Sequence, residues 1–213
     1  MAKLRYISAA LFIVTGGLVA AGVWTSWHQH QTNTIAKKQV QHAAANRAPS
    51  AVKPKEDEFA SYTAAADQPR YLFIPDISVR AIVKPLGLTQ DQRVAAPSNI
   101  FYTGWYTGSS KPGSPGAMLI DGHVSSWEAQ GVFYRLKELR KGQIITVQRG
   151  DNTQLSYKIS KIQTYNNDDV DMAAALAPIN PNKPGLNLMT CAGSVKKGTN
   201  EFSKRLVVFA EQQ

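Results

Sequence analysis

Short apolar runs, each stopped by proline or glycine, fill the chain from Arg70 to its end. Tyr71-Leu72-Phe73-Ile74 is stopped by Pro75, and Val79 to Lys84 by Pro85. Ala117-Met118-Leu119-Ile120 reads as a buried strand, and Gln143 to Gln148 is strand-like by its β-branched content. Leu155, Tyr157 and Ile159 alternate with Ser156, Lys158 and Ser160, the period of a half-buried strand. Leu186 to Thr190 and Leu206 to Phe209 are further apolar strands. Helical signals are sparse. Phe133, Leu136 and Leu139 before Gly142 predict a short helix, and residues 169–175 a helical turn inside a long loop. Gly104, Gly108, Pro112, Gly113, Pro115 and Gly116 predict a loop over 104–116. Many short strands with few helices call for a mostly-β barrel or sandwich.

The N-terminal third has a different texture. No Lys, Arg, Asp or Glu occurs from Tyr6 to Ala36, and the apolar part runs from about Ile7 to Trp24. At about 1.5 Å per residue this nearly matches a hydrocarbon core of roughly 30 Å. Trp24 and Trp27 fall where an interfacial aromatic belt would lie, and Lys3 and Arg5 favour a cytoplasmic N-terminus. Residues 1–30 therefore read as a cytoplasmic tip and transmembrane anchor. A cleaved signal peptide, cut near Val19-Ala20-Ala21-Gly22, is the alternative. Both send the remainder outside the membrane. Residues 31–68, rich in Ala, Gln, Lys and Pro, read as an extracytoplasmic linker, and residues 69–213 as the globular domain.

The formal net charge of +9 divides into +3 over residues 1–68 (seven Lys/Arg, four Asp/Glu) and +6 over 69–213 (seventeen and eleven). No basic stripe or nucleic-acid motif accompanies it, which argues against nucleic acid as a partner. Mild basicity suits anionic lipid or a polyanionic cell wall.

The single cysteine excludes a disulfide scaffold and a multi-cysteine metal site. His28, His30 and His42 precede the domain, which is left with one thiol and one imidazole, Cys191 and His123. Each follows a strand candidate and stands next to a glycine, Gly122 before His123 and Gly193 just past Cys191. A thiol attacks a carbonyl as its thiolate, an imidazole can accept and return the proton, and a guanidinium can stabilise the oxyanion. Arg205, at the start of the last strand, lies beside the thiol if the last two strands are neighbours. Asp121 is a possible third member, but Gly122 interrupts the strand before His123, and the geometry stays open. Taken by spacing alone, Cys191 reads more readily as a small buried hydrophobe than as a nucleophile, and His123 could be a turn residue and Arg205 a surface arginine.

At these residues the sequence resembles the sortases. Phe73-Ile74-Pro75-Asp76-Ile77 resembles the family's opening strand. Gly104-Trp105-Tyr106 and Pro112-Gly113-Ser114-Pro115-Gly116 resemble the approach to its histidine, and Gly122-His123-Val124, followed by Gly131-Val132-Phe133, its histidine motif. Leu188-Met189-Thr190-Cys191 resembles the TLxTC motif, with Asn187 where the first Thr often stands, and Lys204-Arg205-Leu206-Val207-Val208 the arginine motif. The likeness covers residues 70–211 in order, and its texture is nearest to class E and class F. No apolar segment follows the last strand, unlike many pilin-polymerising members.

The resemblance implies an eight-stranded β-barrel behind an N-terminal anchor, and a cysteine transpeptidase without a cofactor. Cys191 would cleave an LPxTG-like sorting signal between Thr and Gly, and an amine, such as a peptidoglycan precursor or a pilin lysine, would resolve the acyl-enzyme. It implies His123 as acid/base, Arg205 as oxyanion or substrate stabiliser, and Thr190, Ala192 and Gly193 as substrate-binding. The partners implied are surface proteins carrying the signal, in a Gram-positive-type envelope. The loops 165–185 and 192–204 are expected to shape substrate choice. Asp168, Asp169 and Asp171 are a minor calcium candidate that reads better as a solvated loop with a helix cap. A membrane-anchored cysteine hydrolase and a non-enzymatic cell-wall-binding β-domain remain as alternatives. An L,D-transpeptidase is disfavoured, because Cys191 follows Thr190 rather than lying in an SHGC-type context.

Overall fold

The computed structural model describes residues 48–167, 170, 172–199 and 201–213. Eight strands close into one barrel: β1 (Pro69–Ile74), β2 (Val79–Leu86), β3 (Thr103–Tyr106), β4 (Ala117–Gly122), β5 (Ile144–Arg149), β6 (Gln154–Asn166), β7 (Gly185–Val195) and β8 (Phe202–Gln212). The order around the barrel is β1-β2-β3-β4-β7-β8-β6-β5, and β5 pairs with β1 to close it. Closure leaves no free sheet edge. The β2–β3 and β4–β7 pairs are parallel, which requires long crossovers, and the rest are antiparallel.

Alternation sets the two faces. Met118 and Ile120 of β4, Leu186 and Leu188 of β7, and Leu206, Val208 and Ala210 of β8 fill the interior with Leu72, Ile74, Phe133, Tyr157 and others. The odd-numbered Leu119, Met189, Val207 and Phe209 form a separate apolar cluster on the outer face. Val94, Tyr106, Tyr165, Val170 and Leu176 partly cover it. Burying one Leu or Ile is worth about 1.5–3 kcal/mol, so the interior carries most of the stability.

Three expectations change. Gly104 lies in β3, not in a loop. The strand tolerates a glycine because Leu86 of β2 fills its place: a Cβ there would come within 2.0 Å of the Leu86 side chain. The expected helix near 133–139 shrinks to one 3-10 turn, Leu136–Glu138. Residues 48–68 belong to the compact unit, which starts at Ala48, where composition alone placed the domain start at residue 69. A short helix, α1 (Glu56–Ser61), stacks Phe59 on Tyr71 with ring centroids 4.9 Å apart, and the Tyr71 hydroxyl donates to the Phe59 carbonyl. Composition concealed this because two aromatics, Phe59 and Tyr62, do the docking amid polar residues.

The second helix, α2 (Met172–Leu176), sits in the β6–β7 connection, where the helical turn was expected. The anchor read over 1–30 and His28, His30 and His42 lie outside the described residues, as do Asp168, Asp169 and Asp171. Among the described residues no helix is long and apolar enough to cross a membrane.

Candidate active site

Strands β7 and β8 are adjacent and antiparallel, and their register sets Cys191 directly opposite Arg205. Both are odd-numbered, so both side chains leave by the outer face. Arg205 Nη1 lies 3.0 Å from Cys191 Sγ. A guanidinium donates five N–H groups and accepts none, so the contact favours sulfur carrying negative charge.

His123 follows β4, which lies parallel to β7 on the side away from β8, with Asp121 opposite Met189. Its backbone is fixed by the return of the chain. Phe133 N donates to His123 O (2.9 Å) and Gly131 N to Val124 O (2.9 Å). Gly131 is required by that approach, since a Cβ would lie 2.3 Å from His123 O. The ring is fixed by Pro97, whose carbonyl lies 2.7 Å from Nε2. A carbonyl only accepts, so Nε2 carries the proton and Nδ1 is the nitrogen free to exchange one. His123 and Cys191 line one cavity of about 630 Å³. Its walls include Ser126, Trp127 and Glu128 of the loop after His123, Gly193, Val195 and Phe202 of β7 and β8, and Ala48 and Pro49.

Burial sets the charge state. Desolvation pushes the Cys191 thiol above its ordinary value; Arg205 opposes this and Asp121 adds to it. Desolvation draws His123 below its ordinary value, against the bond to Pro97. Both shifts favour a neutral thiol beside a neutral imidazole. Asp121, on the same outer face, is pushed up to about 7 by desolvation, while Arg205 and the Gly122 backbone hold it down.

The structure thus brings Cys191, Arg205 and Asp121 onto one face and Cys191 and His123 into one cavity. It separates the three other expected residues. Thr190 is buried and its hydroxyl donates to Gly122 O at 2.7 Å, bracing β7 against the end of β4 just before His123. Ala192 packs against the barrel interior. Period-two alternation turns both side chains away from the face that carries Cys191. Gly193 lines the cavity.

Asn187 is buried, and its Nδ2 donates to Ala175 O (2.8 Å) and Ala177 O (2.9 Å). It therefore ties the end of α2 to β7, a task the threonine often found there could not perform with one donor. Sequence reading missed the Pro97 carbonyl and the wall formed by Ala48 and Pro49. No sequence signal marks a backbone carbonyl, and the wall lay within the assigned linker. Among the described residues no group of three or more His, Cys, Asp or Glu side chains could hold a metal ion.

Known proteins give three further observations. Among curated proteins none matches this chain. Solved structures share the fold. A pilus-related sortase C of Group B Streptococcus superposes with a TM-score of 0.52 at 19% identity, over 76% of this chain and 74% of its own. Sortase C-1 from Actinomyces oris gives 0.51 at 22%, over 85% and 98%, and sortase A from Corynebacterium diphtheriae 0.51 at 20%, over 84% and 81%. These are class A and class C enzymes, so the class E or F texture of the sequence finds no counterpart in these three. The family model of the sortase domain matches residues 72–213, which cover the barrel except the first three residues of β1 and include His123, Cys191 and Arg205, and the chain belongs to the sortase family.

Proposed function

We propose that Cys191 attacks the Thr carbonyl of an LPxTG-like sorting signal, releases the Gly side as an amine, and passes the acyl group to a second amine. Membership of the family makes the chain a cysteine transpeptidase that anchors proteins at the cell envelope. The observation that carries the residue assignment is the Arg205–Cys191 contact of 3.0 Å, with Cys191 and His123 lining one cavity.

In the resting pair the thiol is neutral. Proton transfer from Sγ to His123 Nδ1 creates the nucleophile and the acid together. Sulfur adds to the carbonyl carbon, and the Arg205 guanidinium stabilises the negative charge that moves to oxygen. The imidazolium then gives its proton to the departing Gly nitrogen, and the C–N bond breaks to leave a thioester. The amine acceptor reverses these steps. Residues 1–30 serve as the single-pass anchor that holds the domain outside the membrane. Neither alternative is favoured. A purely structural thiol would face aliphatic side chains, whereas Cys191 faces a guanidinium.

The test is to incubate residues 48–213, the compact unit, with an LPxTG-type peptide and diglycine. Mass spectrometry should find an acyl adduct on Cys191 and a ligated product. Free acid as the sole product in the presence of amine would make the protein a hydrolase. Full transfer by Cys191→Ala would overturn the assignment.

A further inference from the structure

We propose that Trp127 and Glu128, at the tip of the hairpin after His123, form the subsite that captures the acyl acceptor as a primary ammonium. This rests on the acyl-enzyme reading above and adds the charge and location of the second substrate.

The hairpin is built to present these residues. Ser125 pairs with Gln130, Ser126 N donates to Ala129 O at 2.8 Å, and Ser126 Oγ accepts from the Glu128 and Ala129 amides, each at 3.1 Å. The turn holds the Trp127 indole 88% exposed, while the residue still lines the cavity shared by His123 and Cys191. Glu128 lines the same cavity and is its one acid. Among the described residues its carboxylate forms no ion pair or hydrogen bond. No lysine or arginine lines the cavity. Its wall is thus negative and aromatic in a protein of net charge +9.

An indole face and a carboxylate both attract an ammonium, and neither attracts a neutral or anionic acceptor.

The transfer balances. The acceptor enters as R–NH3+. One proton leaves to solvent, and the nitrogen lone pair attacks the thioester carbon. The C–N bond forms, the C–S bond breaks, and sulfur leaves with the bonding pair. A second proton passes through His123 Nδ1 to Cys191 Sγ, and the third stays on the new amide.

The test uses residues 48–213 with an LPxTG-type peptide and two nucleophiles at neutral pH: diglycine, an ammonium, and hydroxylamine, which is uncharged. Trp127→Ala and Glu128→Gln should each raise the KM for diglycine about 3-fold, and the double variant about 10-fold. The KM for hydroxylamine should stay the same, and adduct formation on Cys191 without nucleophile should continue. Glu128→Asp should restore much of the loss. An unchanged diglycine KM in the double variant overturns the subsite. An equal rise for both nucleophiles also overturns it, because a distorted hairpin would then be the cause. Failure of the wild-type protein to form the adduct overturns the acyl-enzyme reading, and the subsite falls with it.

Discussion

The two faces of the β4–β7–β8 patch share one backbone and one register but carry different chemistry. The inner face holds Met118, Ile120, Leu186, Leu188, Leu206 and Val208, all closely packed. The outer face holds Asp121, Cys191 and Arg205 at one end and Leu119, Met189, Val207 and Phe209 along the rest. On the inner face any apolar residue of the right volume serves, and stability is the quantity at stake. On the outer face desolvation opposes the charged forms of Asp121 and Cys191, and the Arg205 guanidinium favours them, which sets their reactivity. Substitutions on the two faces should therefore separate stability from thiol chemistry.

The largest effect on folding belongs inside. Leu188→Ala should destabilise the domain by about 2–5 kcal/mol in denaturant unfolding, by lost transfer energy plus a cavity. The pH dependence of Cys191 alkylation, measured where the variant is folded, should not move. A moved midpoint would mean that the two faces are not separable.

Arg205→Ala makes the opposite test. Transfer should fall about 10²–10³-fold, the range for loss of one oxyanion donor. Arg205 draws the thiol down, so its removal should raise the alkylation midpoint further above the ordinary thiol value. Stability should change far less than for Leu188→Ala. A loss of activity with an unmoved midpoint would confine Arg205 to substrate binding.

Thr190→Val tests a residue that faces inward yet supports the outer site. It removes the hydroxyl that satisfies Gly122 O and should destabilise by about 1–3 kcal/mol. Because that bond braces the strand end before His123, activity at a temperature where the variant is fully folded should fall as well. Unaltered activity would reduce Thr190 to a core residue.

Much of this arrangement was legible from residue types. The apolar runs at 117–120, 186–190 and 206–209 became β4, β7 and β8, and the cysteine and arginine motifs carried their own spacing. The outward direction of Cys191 and the inward direction of Thr190 and Ala192 follow from period two once β7 runs unbroken through Cys191 to Val195. Sequence could not supply that, because Gly193 looked like a strand end. The barrel order was not legible either, since the parallel β4–β7 pair joins segments separated by a long crossover. Asp121 stayed open for a related reason. Gly122 suggested a broken strand, but β4 continues through it and keeps Asp121 on the outer face.

Asp121 gives the smallest expected change and the sharpest probe of the outer face. Its carboxyl titrates at about 7 in the folded protein, mainly through desolvation, against about 3.9 in an unfolded chain. A carboxyl raised in this way leaves stability intact below about pH 4, where both states are protonated. The native state is then penalised increasingly as pH rises through 7. Asp121→Asn should therefore stabilise the domain at pH near 8.5, and the gain should shrink as pH falls toward 4. The same charge pushes the Cys191 thiol up, so the variant's alkylation midpoint should move down, opposite to Arg205→Ala. Paired urea titrations at the two pH values and iodoacetamide rates across pH measure both. If the midpoint falls while stability does not rise, the carboxyl is solvated enough to be tolerated and acts on the thiol through its charge alone. If neither moves, Asp121 is outside the electrostatic unit, and Arg205 alone on this face sets the state of the nucleophile.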